Sequence, residues 1–144
     1  MKRFIRIVSV VLVIAALLAV PAQAAETMDQ RGSSYFASVC TYLWHVSGTT
    51  FEVWFDVTGV RGMDEIGASS IAIQRSTDGQ SWSTVKTFSK SSYPSMVDQN
   101  TGCHASYVTY TGSTGYYYRA KVTIYAKNSN GSATDVWYTD TLHY

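Results

Sequence analysis

The side chains with the most chemistry to offer are His45, His104 and His143, the thiols Cys40 and Cys103, and the adjacent carboxylates Asp64 and Glu65. Nucleophilic catalysis needs Ser or Cys, a His and a carboxylate meeting in space, and the chain has no G-x-S-x-G to mark a strained nucleophile. With no such motif, solvent-facing or core-edge histidine is the favoured reading, no catalytic residue is expected and the protein reads as a non-enzyme. Zinc would require ligands at short, paired spacings, which two distant cysteines and scattered histidines do not provide. Asp64 and Glu65, with Asp56 upstream, offer oxygen ligands, but the D-x-D-x-D-G spacing of a calcium loop is missing and a solvated acidic loop is favoured. No metal site and no cofactor are expected.

Binding chemistry is better supplied. Aromatic residues make up 14% of the chain and include 11 Tyr. Between positions 116 and 127 they recur next to cations, so that Tyr117, Arg119, Lys121 and Tyr125 share one face of a strand. Flat rings stack on sugars or anchor protein partners, and Tyr and Arg are enriched where interfaces are tightest. Trp137, on the following strand, would extend this face. The competing reading is that Tyr and Thr are simply good strand formers.

The N-terminus narrows the setting. Lys2, Arg3 and Arg6 precede an apolar run that ends at Pro21 and Ala22-Gln23-Ala24, the pattern of a secretory signal peptide over residues 1–24. Residues 25–34 are polar and aperiodic and read as a flexible leader, leaving one domain over 35–144. Taking the signal peptide's three cations from the 11 Lys and Arg leaves eight against 10 Asp and Glu, a net charge of −2. That balance lacks the basic stripe that phosphate recognition needs, so nucleic acid is an improbable partner. No second apolar run follows, and secretion without stable membrane insertion is expected. An even cysteine count in an oxidising compartment predicts one disulfide, Cys40 to Cys103, closing a loop of about 60 residues for ~4 kcal/mol on the chain-entropy argument. Two separate buried thiols are the alternative.

The elements that would position these groups are strands throughout. Short runs rich in Val, Ile, Thr, Tyr, Phe and Trp recur between Gly, Ser, Asn and Asp clusters, which predicts an all-β antiparallel domain of about seven strands in a two-sheet sandwich. The clearest alternation puts Phe51, Val53, Phe55 and Val57 on a core face, with Glu52, Trp54 and Asp56 opposite. A loop is predicted over 59–67, a strand over 70–75, and an Asp78-Gly79 hairpin leading into Trp82 and the next strand. The longest loop is predicted over 90–102, followed by strands at 103–110, 116–127 and 134–142.

Three stretches together resemble a fibronectin type III domain. Ile73 to Val85, with Trp82 after the hairpin turn, resembles its third and fourth strands. Tyr116-Tyr117-Tyr118-Arg119 resembles its sixth strand, and Ala126 to Gly131 its last hairpin. The resemblance implies structural roles for Phe55 in the core, for Trp82 over the core edge, and for Tyr116, whose hydroxyl would tie back to the preceding corner. The chain departs from the family in placing Trp54 on the polar face and in lacking Leu-x-Pro-Gly before the tyrosine. In that strand order Cys40 and Cys103 flank the second strand about 9.6 Å apart, too far to bridge, so either one lies beyond the strand's end or the order differs. The whole pattern, leader included, is also similar to a family of small secreted proteins from Gram-positive bacteria with no assigned function. The functional expectation is a secreted binding or adhesion module for an extracellular protein or carbohydrate. A secreted effector, a toxin or enzyme inhibitor inserting the 90–102 loop into its target, is the alternative.

Overall fold

The computed structural model describes residues 34–144; the predicted signal peptide and nearly all of the leader lie outside them. Strand β1 (Phe36–Ser47) turns into β2 (Thr50–Ser76), which is followed by β3 (Ser83–Ser89), a 3-10 turn at Pro94–Met96, β4 (Val97–Thr111), β5 (Tyr117–Asn128), β6 (Gly131–Tyr138) and the short β7 (Leu142–His143). The all-β, antiparallel, seven-stranded expectation holds. The strands form one hydrogen-bonded sheet that curls into a half-barrel. Among the described residues no helix is long and apolar enough to cross a membrane.

Continuity comes from β2, which runs 27 residues. Its first half pairs with β1 on one edge and β4 on the other, and its second half with β5 and β3. The sequence reads residues 59–67 as a loop because Gly and charged residues interrupt the alternation. The structure instead absorbs them in a bulge between Thr58 and Met63, after which Met63 and Ile66 return to the core. Gly67 makes this passage possible: at φ +150°, a Cβ would stand 2.2 Å from the Met96 carbonyl oxygen. Met96 is itself fully buried, and β4 begins at Val97, so the long loop predicted over 90–102 is mostly ordered secondary structure.

The core lies on the concave side. Phe51, Val53, Phe55 and Val57 from the first half of β2 are fully buried, as their alternation predicts, and they face Ile71, Ile73, Val122 and Ile124 of the same cluster. Each such side chain contributes roughly 1.5–3 kcal/mol of transfer free energy. An aromatic group fills one end, where Phe51 lies 5.5 Å from Tyr118 and 6.1 Å from Tyr144 between ring centroids. The seam beyond β1 is held by Asp140, whose Oδ1 accepts the Leu43 N–H at 3.1 Å. At the β2–β3 hairpin the Asp78 carboxylate accepts the Gln80 and Ser81 N–H groups at 2.8 Å and the Ser76 hydroxyl at 2.7 Å. These bonds, that from Ser81 foremost, hold its pKa well below the usual carboxylate range.

The disulfide expectation is overturned. Cys40 pairs across from Asp56 and Cys103 from Thr58, which puts the thiols on strands flanking β2 and offset along it. Both are exposed and unbonded. Two strand spacings already exceed the Cα separation that a disulfide spans.

Candidate functional site

On β5, Tyr117, Arg119, Lys121 and Tyr125 alternate with buried residues, and three of them are engaged with other side chains of the chain. The Arg119 guanidinium lies 4.4 Å from the Trp82 ring centroid and 4.6 Å from that of Tyr138, while its Nε donates to Gln74 Oε1 at 2.9 Å. Tyr117 stacks on His143 at 4.1 Å. Tyr125 is capped by the Lys90 ammonium at 4.1 Å, which also pairs with the Glu65 carboxylate. Lys121 is half-buried beside them. A ligand on this surface would compete with cation–π and ion-pair contacts already made within the chain.

Three roles assigned from sequence move to other residues or places. Trp137 does not join the β5 face: it pairs across from Val122, whose side chain is in the core, and its Nε1 donates to Asp135 Oδ2 at 3.2 Å. Tyr138, opposite Lys121, takes the outward position instead. Trp82 stacks over Arg119 on the outer face and does not cover the core edge. The corner tyrosine is Tyr118, whose hydroxyl oxygen accepts the Ser113 N–H at 2.8 Å; Tyr116 is half-buried with the Arg75 guanidinium 4.2 Å above its ring. Phe55 is fully buried.

The histidines serve separate neighbourhoods. His45 Nε2 lies 3.1 Å from the Gly48 carbonyl oxygen, His104 Nε2 lies 2.8 Å from that of Ser95, and His143 belongs to the Tyr117 stack. Among the described residues no three or more His, Cys, Asp or Glu side chains gather where they could share a metal ion.

The most open aromatic surface is one that sequence reasoning missed, on the convex side of β1, β2 and β4. Strand alternation sends Tyr42 and Trp44 outward from β1, Glu52, Trp54 and Asp56 from β2, and Tyr107 from β4. Register then aligns Tyr42, Trp54 and Tyr107 across the three strands, with Trp44 opposite Glu52 in the next row. The Tyr42 and Trp54 rings are parallel within 1° at 6.3 Å, and Tyr107 stacks on the other side of Trp54 at 4.5 Å. Glu52 Oε2 accepts the Trp54 Nε1–H at 2.8 Å and so fixes the indole in its row. Tyr42, Trp44, Glu52 and Trp54 line a shallow depression. Tyr42 is 39% exposed, Tyr107 46% and Trp44 61%. Glu52 and Asp56 are the charged groups among the outward positions of these paired segments. The alternation that would have revealed this surface was visible within each strand, but alignment across strands depends on register.

Comparison of the chain with protein families, with curated proteins and with solved structures finds no match.

Proposed function

We propose that the domain is a secreted, non-catalytic binding or adhesion module for an extracellular protein or glycan, and that it engages its ligand through the convex aromatic face of β1, β2 and β4. One observation carries the choice of face: Trp44 stands 61% exposed beside a cross-strand aromatic row. Burying such a ring against a partner recovers apolar surface that folding has left in water, and clustered exposed aromatics mark interaction surfaces. The β5 face offers less, because Arg119, Tyr125 and Tyr117 have partners within the chain. A fibronectin-III-like sandwich kinship is supported by the tyrosine tied to its corner and by the Asp-Gly hairpin between β2 and β3.

The test is a glycan array together with binding to intact cell surfaces, comparing wild type with Trp44→Ala/Tyr107→Ala and with Tyr117→Ala/Tyr125→Ala. Loss of binding in the first pair alone, with both variants folded, is the expected result. Loss in the second pair alone would move the site to the β5 face.

A further inference from the structure

Tyr42, Trp44, Glu52 and Trp54 form a two-by-two block on neighbouring strands, Tyr42 paired with Trp54 and Trp44 with Glu52. We propose that this block is a site for a small organic cation, a quaternary ammonium group of the choline type. The inference rests on the convex face being the binding surface, and it names the chemistry that face recognises.

Three electron-rich rings and one carboxylate line one depression. Trp54 is stacked between Tyr42 and Tyr107 and forms its floor, so the cation–π contact would come chiefly from Trp44, 61% exposed, with Tyr42 beside it, and the carboxylate adds a full charge. The surroundings agree in sign, because the outward charges of these paired strand segments, Glu52 and Asp56, are both negative. A sugar fits the lining less well. Its hydroxyls need several fixed donors and acceptors, whereas Glu52 is the charged lining residue and one of its oxygens already accepts the Trp54 indole N–H at 2.8 Å. A primary ammonium fits less well too, because it is strongly hydrated and would surrender that hydration to apolar ring faces. A trimethylammonium group spreads its charge over methyl surfaces that pack on aromatic rings. The indole–carboxylate bond gives the site preorganisation: it orients Trp54 and Glu52 before any ligand arrives.

The same charge pattern sets a selectivity. A phosphate next to the ammonium would face Glu52 and Asp56 with no cation across from it on these segments, so choline should bind better than phosphocholine.

The experiment is titration of the purified domain, followed by tryptophan fluorescence and calorimetry, with choline, phosphocholine and 3,3-dimethylbutan-1-ol, the neutral isostere of choline. Saturable choline binding is expected, with the isostere at least ~10-fold weaker because it keeps the shape and loses the charge. Trp44→Ala should weaken choline by roughly 10-fold or more, and Glu52→Gln should weaken it while leaving the isostere unchanged. Thermal unfolding of both variants checks that they remain folded, which the 61% exposure of Trp44 favours. Equal affinity for choline and its isostere, or no saturable choline binding, overturns the proposal. If choline fails while Trp44→Ala/Tyr107→Ala still abolishes cell-surface binding, the cation is wrong and the face stands. If neither ligand nor surface responds to these variants, the face itself is wrong.

Discussion

Tyr118 offers the sharpest test of how the domain is held together. Its ring is 1% exposed and lies 5.5 Å from Phe51, 6.0 Å from Tyr110 and 6.1 Å from Tyr144. Its hydroxyl oxygen accepts the Ser113 N–H at 2.8 Å and its O–H points to the Ser113 carbonyl oxygen at 3.4 Å. Tyr118→Phe keeps the ring and leaves the Ser113 N–H without its acceptor, a loss of about 1–2 kcal/mol for a partly buried group. Tyr118→Ala also removes the ring from a packed cluster, for about 3–5 kcal/mol. Tyr116→Ala should cost much less, because that ring is half-buried and its cation–π contact with Arg75 is worth about 0.5–1 kcal/mol at an accessible site.

Gly112 supplies an independent check on the same corner. A Cβ there would stand 2.7 Å from Tyr118 Cζ and 2.9 Å from its hydroxyl oxygen. Gly112→Ala should therefore cost about 1–3 kcal/mol by overpacking in the wild type and far less in the Tyr118→Ala background, where the ring it strikes is gone. Urea denaturation reads all of these. With a slope of about 1–3 kcal/mol per molar, Tyr118→Ala should lower the midpoint by roughly 2 M. If Tyr116→Ala proves as costly as Tyr118→Ala, or Tyr118→Phe is neutral, the corner has been assigned to the wrong tyrosine.

That assignment shows where the sequence stops being informative. Tyr116, just before β5, and Tyr118, its second residue, have the same parity, so alternation places both inward and cannot say which one reaches the corner. The distinction comes from Ser113 and Gly112 folding over the ring of Tyr118. The inward rows of β5 and of β2 up to Val57 were legible because both stretches keep strict alternation and a single buried face. The 59–67 stretch was not, because a bulge leaves the same composition as a loop while Met63 and Ile66 carry the strand through. Trp137 was within reach: the Asn128 to Gly131 hairpin fixes the register of β6 against β5, and counting back from it sets Trp137 opposite Val122 and Tyr138 opposite Lys121. The Cys pair and the convex aromatic row depend on which strands flank β2 and how they align, which local patterns do not encode.

Two further outcomes follow from the titrating groups. Asp78 has its folded pKa lowered by the Ser81 N–H, the Ser76 hydroxyl and the Gln80 N–H, so its contribution to stability is present above the unfolded carboxylate value of about 3.9 and is lost as pH falls through the folded value. Asp78→Asn should be less stable than wild type at neutral pH, with the gap narrowing on acidification below about pH 4; a gap that does not change with pH would show that the carboxylate's charge contributes nothing to the turn. Tyr144 carries a buried hydroxyl with no hydrogen-bond partner, and burial raises its pKa above the ordinary value of 10.0. Removing that oxygen in Tyr144→Phe keeps the ring contacts with Phe51 and Tyr118 and relieves an uncompensated polar group, so the variant should equal or exceed wild-type stability by up to about 1 kcal/mol. Because the folded pKa is raised, the protonated hydroxyl's contribution is fully present below the unfolded phenol value of about 10 and is lost as pH rises through the folded one, a loss that the Phe variant lacks. Urea midpoints for wild type and Tyr144→Phe should therefore lie close together near neutrality and separate in favour of Phe in alkali; a Phe variant clearly weaker than wild type near neutrality would mean that the hydroxyl has a stabilising partner in solution.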